Sequence, residues 1–286
     1  SSMGCTSRFE KSFGATMSKP TLYIIKVGGQ LIDNPKKLHE FLQLFATLTL
    51  STKNSIPCYT LLVHGGGKLA SQLSEKMGIV PQMIEGRRIT DTETLKIVTM
   101  VYAGYINKNI VAQLQALGCN AVGLTGADGN TVQAHKRNHP TIDYGWVGDI
   151  DRVNTTFLKD LLLSEATPVL APITHDKKGQ LLNTNADTLA QEIAVGLSNI
   201  FQTRLLFTFE KEGVLENPEQ EGSVLQSINP SIYEQLKKTG QINTGMIPKL
   251  DNAFGALRAG VQQVIIGKAE KLQDLVQGKA GTTISL

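Results

Sequence analysis

Short apolar segments alternate with amphipathic segments along almost the whole chain, and this alternation constrains the fold more than any other feature. An apolar run of four to eight residues bounded by turn residues is typical of a buried strand. Strands separated by helices are joined by crossover connections, which favour a mainly parallel sheet and an α/β fold. Strands are predicted over 22–27, 59–63, 121–124, 168–170, 205–209 and 263–266, and helices over 35–52, 68–77, 91–117, 155–163, 187–197, 230–239 and 246–259.

Two segments depart from this regular pattern. The helix predicted over 91–117 is long for a globular protein, and Thr90 with Glu93 forms a capping-box pattern at its start. Its length favours a position at a subunit interface. Residues 129–149 are polar and rich in Gly, His and Asn, which predicts short antiparallel strands covering a ligand.

The size and composition indicate an ordinary globular protein. The 286 residues are 41% hydrophobic and 19% charged, enough for one large α/β domain or two lobes. No linker rich in Pro, Gly or Ser divides the chain, so the lobe boundary is placed in the turn near 171–179, giving lobes of 21–175 and 176–286. Residues 1–20 lack the apolar centre of a signal peptide and are interpreted as a flexible leader or an expression remnant.

The charge and hydropathy argue against several classes of partner. The net charge is +3, and no basic cluster is interleaved with aromatic residues, so nucleic acid is a poor candidate. No apolar run reaches the ~18 residues of a membrane span, and a cytoplasmic protein is expected. The cysteines are odd in number and far apart, which predicts reduced packing residues, and His135 and His139 give little support to a zinc site; no metal ligands are predicted.

The first predicted strand ends in Ile-Lys-Val-Gly-Gly, with Lys26 as its only charge and Gly28 and Gly29 directly after it. Glycines allow backbone N–H groups to approach an anion closely, and the lysine can reach the same anion. This pattern predicts a phosphate site. A lysine at a strand end beside a purely structural turn is the alternative that this stretch alone leaves open.

The second predicted strand also ends in glycines, as His-Gly-Gly-Gly over 64–67. Gly65-x-Gly67-x-x-Ala70 matches the dinucleotide fingerprint, and Glu85 stands where a ribose-binding acid is expected, so an NAD-dependent oxidoreductase is a competing interpretation. The phosphate loop of the P-loop enzymes, G-x-x-x-x-G-K-[ST], is absent from the sequence.

Three further segments carry polar groups at predicted helix starts. Arg87 and Arg88 precede one helix, where a guanidinium group can hold a carboxylate through two hydrogen bonds. The segment 182–187, Leu-Asn-Thr-Asn-Ala-Asp, begins another, and Gly-Met-Ile-Pro-Lys over 245–249 begins a third. Surface pairing for the arginines and simple capping for the asparagines are the purely structural interpretations.

Together these motifs resemble the N-acetylglutamate kinases of the amino acid kinase family. Ile-Lys-Val-Gly-Gly, His-Gly-Gly-Gly, Asn-Thr-Asn-Ala-Asp and Gly-Met-Ile-Pro-Lys occur in the family's order, and the resemblance extends from residue 21 to residue 286. It implies an αβα sandwich on a mainly parallel, roughly eight-stranded sheet. It further implies that the lobe 21–175 binds an acyl amino acid and dimerises, and that the lobe 176–286 binds ATP. Residues 1–20 show no obvious amphipathic helix of the kind found in the family's hexamers, which favours a homodimer.

The resemblance assigns a role to each matching residue. Lys26 and Lys249 correspond to the cations that neutralise the transferring phosphoryl group, and Asp187 to the carboxylate that orients them. The residues corresponding to the substrate site are Gly65, Gly66, Arg88, Asn183 and Asn185. The residues corresponding to the nucleotide site are Gly28, Gly29, Glu210, Lys211, Glu212, Gly213, Val214, Leu215, Gln241, Ile242 and Asn243.

The expected function is ATP- and Mg²⁺-dependent phosphorylation of the γ-carboxylate of N-acetyl-L-glutamate, a step of arginine synthesis. A carboxylate with a pKa of ~4.3 is already ionised at neutral pH and needs no general base, which agrees with the lack of a poised His or Cys. Lys68 and Arg87 are extra cations relative to the family pattern, so N-succinylglutamate is an alternative substrate; Glu210 and Phe209 also depart from that pattern. The sequence also leaves open a kinase for another amino acid and a catalytically silent regulatory relative.

Overall fold

The computed structural model describes residues 18–51, 58–84, 87–217, 219–220, 222–242 and 246–286. The strands are β1 Thr21–Val27, β2 Cys58–His64, β3 Met83–Ile84, β4 Arg87–Arg88, β5 Ala121–Leu124, β6 Val132–Lys136, β7 Gly148–Val153, β8 Thr167–Leu170, β9 Ile173–His175, β10 Leu181–Asn183, β11 Gln202–Phe209, β12 Ser227–Ile228, β13 Gln263–Lys268 and β14 Thr282–Ile284. The α-helices are α1 Gly29–Ile32, α2 Pro35–Ser51, α3 Gly67–Lys76, α4 Thr92–Thr99, α5 Asn107–Ala116, α6 Thr155–Leu163, α7 Ala186–Leu197, α8 Pro230–Thr239, α9 Ile247–Arg258 and α10 Leu272–Val276.

Eight strands form the central sheet, in the order β12-β14-β13-β11-β1-β2-β8-β5. Every neighbouring pair is parallel except β13 with β14. All six strands predicted from the alternating pattern belong to this sheet. The predicted α/β fold with a mainly parallel, roughly eight-stranded sheet is therefore confirmed.

Alternate residues of the central strand β1 face two different helical layers, as the pleat of a strand requires. Leu22 and Ile24 are fully buried in the apolar cluster that includes residues of α7 and α9. Tyr23 and Ile25 point the other way, into the cluster that includes α2, α4 and α5. The sheet is thus covered on both faces, which gives the αβα sandwich.

A smaller four-stranded sheet has the order β10-β9-β6-β7. β6 lies within 129–149 and pairs in antiparallel fashion with β7, which begins at Gly148, so the antiparallel strands predicted there are present. That they cover a ligand stays a prediction. Isolated bridges join Thr90 to Gly145 and Val147 to Asn183, so this sheet holds the segment after β4 beside the end of β10. The turn near 171–179 contributes β9 to the small sheet, and the lobe boundary placed there stays a prediction.

The long helix predicted over 91–117 is present from Thr92 to Ala116, with a π-helical stretch, Met100–Ile106, between α4 and α5. The predicted capping box at Thr90 is wrong. Asp91 is the N-cap, and its Oδ1 accepts a hydrogen bond from the Thr94 N–H at 2.7 Å. The Thr90 backbone N–H instead donates to the Tyr144 carbonyl, because the bridge to Gly145 keeps this residue extended.

Two of the three cysteines lie in the part of the chain described above. Cys58 and Cys119 are thiols that form no disulfide among the described residues, in agreement with the prediction, whereas Cys5 lies outside the described residues. Among the helices of the described residues, none combines the length and the apolar character needed to cross a membrane.

Candidate active site

The carboxyl edge of the central sheet brings the glycine loops together. Val27 at the end of β1 pairs in register with His64 of β2 on one side and with Thr208 of β11 on the other. The chain segments that follow these three adjacent strands therefore leave the sheet side by side. Ligands of open α/β sheets bind at this edge.

Lys26, Asp187 and Lys249 form a compact charged cluster there. Lys26 Nζ lies 2.9 Å from Asp187 Oδ1, and Lys249 Nζ lies 3.3 Å from Asp187 Oδ2. The three residues come from β1, from the first turn of α7 and from the first turn of α9. The structure thus joins three residues that the sequence separates by up to 223 positions (249 − 26).

The cluster keeps Asp187 ionised. Burial is the largest single influence and raises the pKa of the Asp187 carboxyl, but the charges and hydrogen bonds of Lys26 and Lys249 together outweigh it. The pKa of Asp187 consequently lies below its usual value. Two cations against one anion leave a net positive charge at this position.

Two phenylalanines of β11 orient Lys249. Its Nζ lies 5.1 Å from the centre of the Phe207 ring and 5.7 Å from the centre of the Phe209 ring. These are cation–π distances, and they restrict an otherwise flexible ammonium group. Phe209, a departure from the family pattern at the sequence level, thus has a place in the site.

The five predicted substrate residues line one cavity of about 190 Å³. They are Gly65, Gly66, Arg88, Asn183 and Asn185. Arg88 is 7% exposed and donates from Nη2 to Ser71 Oγ at 2.8 Å. Asn183 donates from Nδ2 to Thr90 Oγ1 at 3.1 Å. A buried guanidinium beside a side-chain amide is suited to binding a carboxylate.

The glycine loop over 65–67 forms another wall of this cavity. Gly66 has φ +150°, a conformation that residues with a side chain rarely adopt, and a Cβ there would lie 2.2 Å from Ile106 Cδ1. α3 begins at Gly67, and the N–H groups of a first helical turn have no partners within the helix. Together with the helix dipole they favour an anion at this wall.

A second cavity, of about 490 Å³, lies beside Lys26. It is lined by the predicted nucleotide residues Gly28, Gly29 and Glu210, and also by Lys268 and Glu270. A third cavity shares Gly29 with it and shares Arg88 with the substrate cavity. The three cavities therefore neighbour one another around the two glycine loops.

Among the residues that the structure describes, the remaining predicted nucleotide residues do not line these cavities. Glu212 pairs with Lys271 at 2.8 Å and with Lys268 at 3.4 Å, and Val214 and Ile242 are buried in the core. Lys211 and Gly213 lie in the turn after β11. Leu215 forms an isolated bridge with Val224. The Gln241 Oε1 accepts a hydrogen bond from the Thr239 hydroxyl. Asn243 lies outside the described residues. The nucleotide-binding role of this group stays a prediction.

Several residues of the site were given no role by the sequence, although His64 begins the His-Gly-Gly-Gly motif. Tyr102 lines the substrate cavity from the π-helical stretch; burial raises the pKa of its hydroxyl, and the nearby Arg88 guanidinium opposes this rise. Met83 and Val147 also line the cavity, although neither has a polar side chain. His64 and Asn107 are hydrogen-bonded beneath the glycine loop. Their participation depends on tertiary contacts that spacing does not encode.

Comparison with models of protein families identifies the family to which the chain belongs. The model described as "Amino acid kinase family" matches residues 21–268, and the chain belongs to this family. The fold supports the same conclusion. A crystal structure of a Streptococcus mutans protein, 29% identical, has a TM-score of 0.73 and covers 92% of this chain and 98% of its own. The carbamate kinase of Giardia, at 16% identity and a TM-score of 0.64, covers 94% of this chain and 98% of its own and shows the shared fold alone.

Two similar curated proteins carry the same name. A relative from Cytophaga hutchinsonii called acetylglutamate kinase is 56% identical over 256 residues, which is 89% of this chain and 94% of that protein. A second acetylglutamate kinase, from Phocaeicola vulgatus, is 48% identical and covers 90% of this chain and 96% of its own length. The resemblance inferred from the four motifs is confirmed by these comparisons.

Proposed function

We propose that the protein is an ATP-dependent kinase that phosphorylates the γ-carboxylate of N-acetyl-L-glutamate, as a step of arginine synthesis. The observation that carries the proposal is the cluster of Lys26, Asp187 and Lys249. Lys26 lines the cavity of about 490 Å³, and Ala186, directly before Asp187, lines the cavity that contains Arg88 and Asn183. The relatives named acetylglutamate kinase support the choice of substrate.

The reaction requires charge neutralisation rather than a base. A γ-carboxylate oxygen forms a bond to the γ-phosphorus of ATP while the bond from that phosphorus to the β,γ-bridging oxygen breaks, and ADP leaves with the electron pair. Both reactants are anions, so cations and oriented N–H groups stabilise the transition state. We assign Lys26 and Lys249 to the phosphoryl group, and the Gly66 N–H to the oxygens that approach it.

Asp187 has an indirect role in this scheme. Both of its oxygens are held by lysines, so it sets the separation and direction of the two ammonium groups. Arg88 and Asn183 are proposed to hold the α-carboxylate of the substrate. Their positions in the cavity beside Gly65 and Gly66 support this assignment.

Mg²⁺ is proposed to enter with the nucleotide. Within the described residues, no group of three or more His, Cys, Asp or Glu side chains could hold a metal ion. Mg²⁺ commonly binds through substrate phosphates and one or two carboxylates, and Glu210 lines the cavity beside Lys26. One carboxylate beside the nucleotide phosphates fits a Mg²⁺ ion, which would neutralise phosphate charge when bound.

We further propose a homodimer in which the π-helical stretch lies at the interface. Met100 and Tyr105 of this stretch are 53% and 66% exposed, so they offer apolar surface that a second subunit could cover. The cytoplasmic location expected from the sequence stays a prediction, as do the lobes of 21–175 for the acyl amino acid and 176–286 for ATP.

N-succinylglutamate is a second candidate substrate. Arg87 lines the same cavity as Arg88, and Lys68 lines the neighbouring cavity that also includes Arg88. A succinyl group adds a carboxylate to the α- and γ-carboxylates of the substrate, and a further guanidinium could bind it. The two candidate substrates differ only in the acyl group on the glutamate nitrogen, and the phosphoryl transfer to the γ-carboxylate is the same for both.

The direct experiment is to trap the product. The protein is incubated with Mg-ATP, hydroxylamine and either N-acetylglutamate, N-succinylglutamate, free glutamate or aspartate, and the hydroxamate is measured. Hydroxamate from N-acetylglutamate supports the principal proposal, and a strong preference for the succinyl compound that is lost in Arg87→Leu supports the second. Folded protein that yields no hydroxamate from any of the four would overturn both.

A further inference from the structure

The residues behind the glycine loop form a buried chain of hydrogen bonds. His64, the last residue of β2, is fully buried, with its Nδ1 3.0 Å from the Gly65 carbonyl oxygen and its Nε2 3.1 Å from Asn107 Nδ2. Asn107 is also fully buried, and its Nδ2 lies 3.1 Å from the Val169 carbonyl oxygen. Lys108 Nζ lies 2.9 Å from Asn107 Oδ1.

Donors and acceptors along this chain fix the direction of every bond. The Lys108 ammonium can only donate, so the Asn107 atom beside it is the accepting oxygen. Asn107 therefore presents its NH₂ group to Val169 and to His64 Nε2, and Nε2 must be the unprotonated nitrogen. The imidazole proton then lies on Nδ1 and is donated to the Gly65 carbonyl, which can only accept. The hydrogen bonds at Lys108 and at Gly65 therefore require the same His64 tautomer, with the proton on Nδ1.

This bond determines the orientation of the peptide between Gly65 and Gly66. The peptide is trans, and in a planar trans peptide the C=O and the following N–H point in opposite directions. The Gly65 oxygen points to the buried imidazole, so the Gly66 N–H points to the other side. That side is the substrate cavity, which both glycines line.

A peptide flanked by two glycines needs such a restraint. Glycine adopts many backbone conformations at little cost, so the loop itself does not select one direction for the N–H. Asn107 is the first residue after the π-helical stretch, and Ile106 directly before it packs against Gly66. The same turn of this helix thus holds the loop by packing and by hydrogen bonding.

We propose that His64 and Asn107 are positioning residues that hold the Gly66 N–H toward the transferring phosphoryl group. The presence of a phosphoryl group rests on the proposed function. The orientation of the Gly65–Gly66 peptide rests only on the hydrogen bonds of His64 and Asn107. Neither residue touches substrate in this scheme. Each acts through the peptide that it orients.

The test compares two replacements of His64. The amide nitrogen of Asn can take the place of imidazole Nδ1, so His64→Asn retains a donor to the Gly65 carbonyl. His64→Leu retains volume without any donor. Loss of one oriented donor costs about 10²- to 10³-fold in turnover. We expect His64→Leu to lose kcat by about that factor, with the KM of ATP changed less than about threefold, while His64→Asn stays within about tenfold of the wild type.

A packing role would give the opposite order, because Leu fills the site and Asn leaves a cavity. Equal kcat values for the two variants, or a lower value for His64→Asn, would overturn the proposal. Thermal melts of both variants identify any loss of folded protein, and kcat is expressed per folded molecule. The wild-type hydroxamate yield is measured in parallel.

Asn107→Asp provides a second readout. The new carboxylate can only accept from Nε2, so the neutral imidazole transfers its proton from Nδ1 to Nε2 and loses the bond to Gly65. Only the doubly protonated ring bonds both neighbours. The new carboxylate favours this charged form, and the charge of Lys108 opposes it. We expect the kcat of Asn107→Asp relative to the wild type to rise as the pH falls from 8 to 6. A constant ratio would contradict the proposed direction of the bonds.

The tautomer can be measured without any activity. ¹⁵N NMR of the wild-type imidazole is expected to show His64 protonated at Nδ1 and unprotonated at Nε2. A proton on Nε2 would refute the inference even if the kinase activity is confirmed. If no hydroxamate forms in the wild type, the proposed function fails, whereas the NMR result still decides the orientation of the loop.

Discussion

Acidification from pH 6.5 to pH 4 is expected to destabilise the fold through His64. Burial of its side chain lowers the pKa of His64 from 6.5 to about 4, with the hydrogen bond to Gly65 acting in the opposite direction and the charge of Lys108 adding to the decrease. The folded ring is neutral in this range, whereas the ring in the unfolded chain takes up a proton. The unfolded state therefore binds more protons, and stability falls as the pH falls.

The expected magnitude follows from the two pKa values. Their difference is about 2.5 (6.5 − 4). At 1.36 kcal/mol for each pKa unit, the lost free energy of unfolding is about 3 kcal/mol. The loss begins near pH 6.5 and is complete below pH 4, where both states are protonated. Above pH 6.5 this residue contributes no pH dependence.

The assay is urea denaturation at intervals from pH 7.5 to pH 4.5, for the wild type and for His64→Asn. The other four histidines are common to both proteins, so their titrations cancel in the difference. We expect the wild type to lose roughly 2–3 kcal/mol more than the variant over this range. Parallel stability curves would refute the assignment of a buried neutral imidazole. His64→Leu also lacks a titrating ring and serves as a second control, so its stability should depend on pH in the same way as that of His64→Asn.

Two further predictions concern the glycine loop and the oligomer. Gly66→Ala is expected to lower the free energy of unfolding by about 1–3 kcal/mol and to reduce kcat, because φ at Gly66 is +150° and the Cβ would meet Ile106. Gly255→Ala, where a Cβ has no neighbour within 4 Å, serves as the matched control in the same denaturation and turnover assays. Equal losses in both variants would argue against a special conformation at Gly66. Tyr105→Glu is expected to convert a homodimer into a folded monomer in light scattering, since Tyr105 is 66% exposed; a wild-type monomer, or a variant that stays dimeric, would contradict the proposed interface.

The sequence predicts the fold well because burial and periodicity are local signals. The apolar residues of β1 contact one layer or the other by alternation, so the apolar run at 22–27 is sufficient to identify a central strand. The error at Thr90 has a tertiary cause. Its bridge to Gly145, 55 positions away (145 − 90), holds the backbone extended and moves the helix start to Asp91.

In the candidate site, too, the sequence identifies the residues, whereas their surroundings depend on tertiary contacts. Motif positions select Lys26, Asp187 and Lys249, and the structure confirms that they meet. The orientation of their neighbours depends on contacts that no spacing reveals. Phe207 and Phe209 are typical strand residues in the sequence, yet both rings lie beside the Lys249 ammonium.

The central claim is that Lys26 and Lys249 stabilise the transferring phosphoryl group. The most direct test is the kcat for hydroxamate formation from N-acetylglutamate in Lys26→Ala and Lys249→Ala, with Lys36→Ala as a control, since the Lys36 side chain is 86% exposed. Each cluster variant is expected to lose about 10²- to 10³-fold in kcat, about 3–4 kcal/mol, while the control keeps its turnover. Near-normal turnover in either cluster variant, from folded protein, would contradict the role assigned to that lysine.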